Sequence, residues 1–396
     1  MIASLLAVML VESSLSAATQ PVRAVTVDGR TVEGAWSGVD DSGAIRLLHS
    51  GNTSLLAPAD LMLLRWRDPA STRPAATQPT SIYLADGSRF MGTIVSATNR
   101  QIILRTSSVP ELNLPLNRLA AIRFLTLHHE AAEEAFQRAL NDRHASEDTL
   151  VLLREGRVNA IQGVTESLSA DGGSFRWRNR SVPMLPENVY GLVFASGVQK
   201  PEETQARCTL NDGSVWAGRV TGGTADQILL ELADGTRIEL PVADLAEIRF
   251  RSDRVLFLSD LEPAVYEFEP FGTTRWPYRK NRSVANRPMQ IGKQTFERGI
   301  GMHSRSRLEY DLPPGFTQLA AIIGVDAAVA PRGNVIFRIE ADGKEIFNSG
   351  PMTGRDAPRT ILVPIKDATR LALAIEFGEE LDIADQANWA SIRLIK

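Results

Sequence analysis

The side chains best suited to binding chemistry concentrate in one short polar segment of the 396-residue chain. This segment, residues 276–282, contains Trp276, Tyr278 and Arg279. An aromatic ring can cover the C–H face of a sugar, and charged or amide groups can form paired hydrogen bonds with its hydroxyls. The segment therefore has the composition of a carbohydrate contact. The alternative is that both aromatic rings pack on the protein while the basic residues are solvated.

Three further polar residues are candidates for the same site. His303 can donate a hydrogen bond to a sugar hydroxyl, although a structural histidine is the favoured interpretation. Asp326 ends an apolar strand and can accept from a hydroxyl, bind calcium or cap a turn. Asn388 is a candidate for the rim of the site, whereas the neighbouring Trp389 is expected in the core.

Bond-breaking chemistry has no comparable support. No Ser/His/Asp set, Gly-rich phosphate loop or carboxylate pair recurs among the internal repeats of the chain, so we expect a protein that is not an enzyme. The single cysteine, Cys208, excludes an intramolecular disulfide and a cysteine-based zinc site. With 43 basic and 47 acidic side chains the net charge is −4, which gives a nucleic-acid partner no electrostatic support.

The elements that must position these candidates are strands. Apolar residues alternate along most of six segments near the C-terminus, the pattern of half-buried β-strands. The segments are 307–312, 319–325, 335–341, 360–365, 371–377 and 390–395. Strands in this number over about 140 residues indicate a β-sandwich.

Ordered motifs in this region resemble a known family. They are FLSDL at 257–261, GIGMHS at 299–304, LEYDL at 308–312, IGVD at 323–326, ADGK at 341–344 and the ending at 382–394. This order is similar to the NPCBM domain, also classed as carbohydrate-binding module family 51. The resemblance implies a galactose-binding-like jelly roll that binds glycans, commonly of galactose type, and that often contains a structural calcium ion.

The preceding part of the chain contains four copies of one pattern. Each copy has a turn acid followed by Gly, a second Gly, and a closing apolar segment. The turn acid and the closing segment are 33 positions apart in three copies (28 to 61, 86 to 119, 212 to 245) and 34 in the third (155 to 189). The acid–Gly pair predicts a hairpin, and the second Gly predicts a bend in the next strand.

Roughly five short strands in about 45 residues indicate a small SH3-like β-barrel in each copy. A unit of this size buries little apolar surface, so we expect the copies to pack in pairs. The expected pairs are the first copy with the second and the third with the fourth.

The sequence thus predicts an all-β protein with one inserted helix. The predicted boundaries are a signal peptide at 1–18, repeats at 22–68, 80–125, 149–195 and 206–251, a helical connector at 126–148 and an NPCBM-like domain at 254–396. The signal peptide is suggested by the apolar run at 2–11 and the small residues at 16–18. A buried first strand or an uncleaved anchor are the alternatives for the same residues, and no other segment is long enough to span a membrane.

One function and one alternative follow. We expect an exported, non-catalytic glycan-binding protein of the periplasm, cell surface or extracellular space. Its C-terminal jelly roll would recognise a carbohydrate, and its repeats would act as a spacer or docking platform. The alternative is a structural or adhesive protein of the cell envelope whose repeats bind protein partners and whose sandwich has no active sugar site. The only cofactor considered is the structural calcium that the resemblance implies.

Overall fold

The computed structural model describes residues 20–40, 42–49, 51–66, 80–98, 100–124, 129–169, 172–185, 187–195, 205–270, 274–366, 368–379 and 381–396. The predicted signal peptide lies outside these residues. The chain divides into two compact units. The first holds the described residues up to Ala24 together with Glu33–Pro58 and Leu63–Phe250, and the second holds Val25–Val32, Ala59–Met62 and Arg251–Lys396.

Each of the four sequence copies forms five strands. The first copy has β1 (Pro21–Thr26), β2 (Thr31–Val39), β3 (Ile45–His49), β4 (Asn52–Leu56) and β5 (Leu61–Trp66). The second has β6 (Thr80–Leu84), β7 (Arg89–Ala97), β8 (Gln101–Thr106), β9 (Leu112–Pro115) and β10 (Leu119–Arg123). The third has β11 (Asp148–Arg154), β12 (Arg157–Ser169), β13 (Gly172–Trp177), β14 (Arg180–Met184) and β15 (Val189–Val193). The fourth has β16 (Ala206–Leu210), β17 (Val215–Gly223), β18 (Gln227–Glu231), β19 (Arg237–Pro241) and β20 (Leu245–Phe250).

Within every copy the first four strands form an antiparallel meander, and the fifth strand returns to pair with the first. Short 3₁₀ turns precede the fifth strand in three copies, at Pro58–Asp60, Leu116–Arg118 and Val242–Asp244. The predicted count of five strands in each copy therefore matches the structure, while the SH3-like description of the copies stays a prediction.

The second glycine of each copy lies where the second and third strands approach most closely. A Cβ atom at Gly163 would lie 2.2 Å from the carbonyl oxygen of Arg176, and one at Gly218 would lie 2.5 Å from that of Glu231. Real Cβ atoms do not approach backbone oxygens so closely, so only glycine fits there. This close approach explains why the sequence repeats a glycine at that position.

The copies associate differently from the sequence prediction. Closing strand β5 of the first copy pairs with β20 of the fourth, with Leu64 opposite Ile248. Likewise, β10 of the second copy pairs with β15 of the third, with Ala121 opposite Val193. The predicted pairing of the first copy with the second, and the third with the fourth, is therefore wrong. Closing strands of nearly the same apolar pattern present similar edges, so the sequence does not distinguish one partner from another.

The predicted helix is present as α1 (Glu130–Asn141), between the second and third copies. Its buried residue Phe136 packs against Tyr83 and Tyr190, with ring centroids 5.5 and 6.2 Å away. No helix in the described part of the chain is long and apolar enough to cross a bilayer.

The second unit is built almost wholly from thirteen strands. They are β21 (Val255–Phe257), β22 (Val265–Phe268), β23 (Arg279–Lys280), β24 (Met289–Ile291), β25 (Gln294–Phe296), β26 (Gly299–His303), β27 (Ser306–Asp311), β28 (Gln318–Val325), β29 (Asn334–Ala341), β30 (Lys344–Thr353), β31 (Arg359–Pro364), β32 (Arg370–Phe377) and β33 (Gln386–Ile395). One sheet has the order β23-β26-β33-β28-β31, with β21 also paired to β33, and the other has the order β22-β27-β32-β29-β30. Strands β24 and β25 form a separate hairpin.

The two main sheets enclose one apolar core. Trp389 of the first sheet meets Phe337 of the second edge to face, with centroids 4.9 Å apart, and neither residue is exposed. Ala387 and Trp389 of β33 lie in this core, and after an interruption at Ser391, where φ is positive, Ile392 and Leu394 do so as well. The predicted β-sandwich and the core position of Trp389 are thus confirmed.

Candidate functional site

Trp276 and His303 form the centre of the candidate site. Their rings are stacked, with centroids 5.5 Å apart and planes 5° from parallel. Trp276 is half-buried, whereas the whole of His303 is 5% exposed. Phe268 meets the edge of the same imidazole at 6.5 Å. One face of the indole is therefore covered by His303, so a ligand can stack only on the other face.

Strand pairing fixes the position of this stack. His303 ends β26 and lies opposite Gln386 of β33. The segment that carries Trp276 is held by Tyr266 of β22, whose hydroxyl donates to the Trp276 carbonyl oxygen at 3.2 Å. Tyr266 also meets Tyr278 edge to face, with centroids 4.9 Å apart. Tyr278 is thus a half-buried support that packs against the core of the sandwich.

Arg279 completes the predicted segment. It is exposed on the two-residue strand β23, opposite Gly301 of β26. Gly301 and His303 share a strand and are two residues apart, so Arg279 lies on the strand next to the histidine. Tyr278 therefore packs on the sandwich, as the alternative interpretation expected, whereas Trp276 and Arg279 keep part of their surface exposed and their sugar contact stays a prediction.

Burial keeps the imidazole neutral. It lowers the pKa of His303 below 6.5, and a backbone hydrogen bond at Ser304 and the charge of Asp382 oppose the shift only in part. A neutral imidazole has one N–H donor and one acceptor nitrogen. His303 can thus support the indole and offer polar contacts, without placing a charge under the ring.

Asp326 and Asn388 do not reach the surface. They are 1% and 0% exposed, and the Asn388 Nδ2 donates to Asp326 Oδ2 at 2.7 Å. The same Nδ2 contacts the carbonyl oxygen of Gln290 at 3.3 Å, in the β24–β25 hairpin. Asn388 therefore binds this hairpin to the sheet, and the predicted rim position is incorrect because the hairpin covers the outer face of β33.

Asp326 does not fit the role of a ligand for the calcium ion that the resemblance implies. Asp326 accepts the Ala328 backbone N–H on Oδ1 at 3.0 Å and the Asn388 amide on Oδ2, so both oxygens have protein donors. Within the described ranges, no group of three or more His, Cys, Asp or Glu side chains could hold a metal ion. Of the three roles considered for Asp326, the geometry matches the turn-capping one.

Two residues near His303 were not selected from the sequence. Gln386 lies opposite His303, is 8% exposed, and its Oε1 has no hydrogen-bond partner among the described residues. Asp382 precedes β33 and acts on the charge of the histidine. The sequence signal that could have identified Gln386 was the period of two along β33. It places Gln386 on the same face of the strand as Asn388 and on the other face from Trp389.

The family comparison establishes what the sandwich is. Residues 254–395 match the model described as the NPCBM/NEW2 domain. These residues are an NPCBM domain. The resemblance drawn from the ordered motifs is confirmed, and all six predicted site residues lie within the matched range.

Two curated relatives match parts of the chain. The Renibacterium salmoninarum protein named "Putative endo-alpha-N-acetylgalactosaminidase" is 26% identical over 108 residues, which cover 27% of this chain and 7% of the relative. The Akkermansia muciniphila protein named "Alpha-1,3-galactosidase B" is 25% identical over 117 residues, which cover 29% of this chain and 15% of the relative. The chain therefore spans only a small part of the length of either relative.

Solved structures of similar chains include two from Clostridium perfringens. One is CBM51 from GH95 in complex with methyl-galactose, at 23% identity and a TM-score of 0.33, covering 35% of this chain and 99% of that chain. The other is CBM51-2 in complex with GlcNAc and INT domains from ZmpB, at 18% identity and a TM-score of 0.34, covering 46% of this chain and 43% of that chain.

Proposed function

We propose that the NPCBM domain binds a galactose-type sugar on the open face of Trp276. One observation carries the proposal: a half-buried indole is supported face to face by a buried, neutral histidine. A stacked ring that is already held in place loses little conformational freedom when a sugar covers it. Arg279, exposed on the strand next to His303, is the polar group that we expect to reach the sugar hydroxyls.

The galactose-type assignment is supported by the relatives. The names of both curated relatives contain a galacto-configured sugar, N-acetylgalactosamine in one and galactose in the other. The site is compatible with such a ligand, because the apolar face of a galactose ring suits an indole and its hydroxyls suit arginine and amide groups.

We also propose that this chain binds its glycan without cleaving it. The buried carboxylates of the domain are engaged in structural bonds: Asp326 with Asn388 and Ala328, and Asp385 with the backbone N–H of Asn334 at 3.0 Å. A glycosidase needs two carboxyl groups flanking one bond, about 5 to 9.5 Å apart. Incubation with aryl α- and β-galactosides tests this proposal: no aryl alcohol is expected, and steady release would refute it.

Export and a spacer or docking role for the repeats are part of the same proposal. The apolar run at 2–11, followed by small residues, supports cleavage after residue 18. N-terminal sequencing of the protein from the medium or the envelope fraction should start at Thr19. A product starting at residue 1 or 2 in the cytoplasm would contradict export.

Affinity electrophoresis of the full chain tests the sugar site. Gels containing a galactose-rich polysaccharide should retard the wild type, and Trp276→Ala should restore most of its mobility. Trp177→Ala is the matched control, because Trp177 is another half-buried tryptophan that lies in the other compact unit. Equal migration of wild type and Trp276→Ala in these gels would favour the structural or adhesive alternative.

A further inference from the structure

A groove of about 700 Å³ lies in the third repeat copy. It is formed by the start of β11, the middle of β12 and the residues that end and follow β13. Trp177 and Arg178 lie side by side in its wall, with Arg176, Gln162 and Asn179 beside them. Trp177 is half-buried, and the other four residues are exposed. The groove therefore combines one aromatic ring with two guanidinium groups, two amides and the carboxylate of Glu147.

The repeats themselves show that this combination is specific to the third copy. The second glycine of each copy faces the carbonyl oxygen of one equivalent residue, which aligns Arg176 with Leu48, Arg105 and Glu231. The next residue is Trp177 in the third copy and His49, Thr106 and Leu232 in the others.

The equivalent corner is closed in two of the other copies. Thr106 is 7% exposed and donates to the Val109 carbonyl oxygen at 3.2 Å, and Leu232 is 3% exposed. In the third copy the corner carries a half-buried tryptophan instead. This copy also has the longest second strand, with 13 residues in β12 against 9 in β2, β7 and β17.

Local backbone geometry brings the charge of Arg178 to the ring. Arg178 and Asn179 have positive φ values of 46° and 63°, a conformation that is uncommon for residues other than glycine. The guanidinium carbon of Arg178 lies 4.9 Å from the centre of the Trp177 ring. Arg176 is the residue immediately before Trp177. Its Nη1 lies 3.5 Å from Glu166 Oε1, and about half of its side chain (51%) is exposed. The turn thus holds an aromatic surface and a fork of N–H donors next to each other.

We propose that this groove binds a saccharide that carries a carboxylate or sulfate group. The ring of Trp177 would cover the apolar face of the sugar, and Arg178 with Arg176 would hold the anion through paired N–H···O bonds. Gln162 and Asn179 supply amides for the neighbouring hydroxyls. The volume lies in the range of small-ligand sites, about 300 to 1,000 Å³, which suits a compact anion better than an extended acidic peptide.

This inference does not depend on the proposed galactose site, because every residue it uses belongs to the repeats. Its test is a calorimetric titration of the full chain with a glucuronate disaccharide, with glucose 6-sulfate and with neutral glucose. The first two probes distinguish a carboxylate ligand from a sulfate ligand. Binding of at least one anionic probe is expected, neutral glucose should bind at least about tenfold more weakly, and affinity should fall as NaCl rises from 50 to 500 mM.

Variants localise the binding. Arg178→Gln and Trp177→Ala should each weaken it at least about tenfold, since each removes a principal contact of the anion or the ring. Arg157→Gln, the same charge change on β12 outside the groove, should leave it unchanged. If Trp177→Ala alters the far-ultraviolet circular dichroism, its fold has changed. The result with Arg178→Gln then tests the inference, because Arg178 is exposed and its replacement should not disturb the fold.

Three results would overturn the inference. The first is no measurable heat with either anionic saccharide at millimolar concentration. The second is equal affinity of Arg178→Gln and Arg157→Gln. The third is a hexaglutamate peptide that binds as tightly as the saccharides, which would assign the groove to acidic peptides.

Discussion

The rings of Trp276 and His303 lie face to face, 5° from parallel, with their centres 5.5 Å apart. This arrangement links the sheet to the surface, since His303 is buried at the end of β26 and Trp276 is only half-buried. The histidine covers one face of the indole, and part of the Trp276 surface stays exposed. The properties of His303 should therefore influence both the stability of the domain and the shape of its surface.

Acidification should destabilise the NPCBM domain through His303. Burial holds the pKa of the folded histidine below the 6.5 of the exposed side chain, so the unfolded chain takes up the proton first. The stability contribution of the neutral imidazole is complete above pH 6.5. This contribution falls as the pH drops below 6.5, and it becomes constant below the pKa of His303 in the folded protein. Urea denaturation of the full chain between pH 5 and 8 measures this slope.

Comparison with His303→Gln isolates the contribution of the histidine. Glutamine has no titrating group in this range, so the variant should show a smaller pH dependence of unfolding between pH 5 and 6.5. His49→Gln, on an exposed histidine in the other unit, is the matched control, and the change in slope should be larger in His303→Gln. A slope that is unchanged in His303→Gln would show that the buried imidazole does not cause the effect.

Asn388→Ala should destabilise the sandwich by about 2 to 3 kcal/mol, because it leaves the buried Asp326 carboxylate without its amide donor. The change also removes one of two donors to the Gln290 carbonyl oxygen, which keeps only the Ala327 N–H at 2.9 Å, so the β24–β25 hairpin should become more sensitive to proteolysis. Asn348→Ala, on an exposed residue of β30, should cost under about 1 kcal/mol. Similar losses in both variants, measured by urea unfolding, would argue against a structural role for the buried pair.

Trp216→Ala should destabilise the repeat unit by about 3 to 5 kcal/mol, the usual cost of removing a large buried aromatic ring. Trp216 of the fourth copy stacks on Phe90 of the second, with centroids 4.1 Å apart, and both are nearly inaccessible. Thermal unfolding followed by circular dichroism would show the loss as a lower midpoint temperature for the unfolding transition of the repeat unit. Trp177→Ala is the control and should shift that transition far less.

Cys208 should be unreactive in the native protein. The thiol is fully buried on β16, and burial raises its pKa to about 12. The reactive thiolate is therefore scarce at neutral pH, and a reagent has no path to it. Iodoacetamide at pH 8 should label the chain in urea but not in buffer, as read by mass spectrometry. Rapid labelling of the folded protein would mean that the fourth copy opens readily.

Local sequence patterns predicted much of this fold because the determinants are local. The turn glycines, the bend glycines and the alternation along β33 each report on a single strand or hairpin, and the structure contains those elements. The partner of β5 was predicted wrongly for the opposite reason. Its pairing with β20 joins residues such as Leu64 and Ile248 that are far apart in sequence, and the other closing strands have similar apolar edges.

In the candidate site, too, local sequence patterns identified individual residues, whereas the contacts between distant residues were not predicted. Trp276 and His303 were selected as separate residues, and their stacking depends on the pairing of β26 with β33. Asn388 was assigned to the rim because a polar residue on an alternating strand normally faces water. The hairpin that covers it, β24–β25, has no signal in the sequence that ties it to that face, so the buried pair with Asp326 was not foreseen.

Calorimetric titration of the full chain with methyl α-galactoside tests the central claim most directly. We expect saturable binding by the wild type and by Trp177→Ala, and at least about tenfold weaker binding by Trp276→Ala with unchanged circular dichroism. Equal affinity of wild type and Trp276→Ala, or no binding by the folded wild type at millimolar sugar, would contradict it.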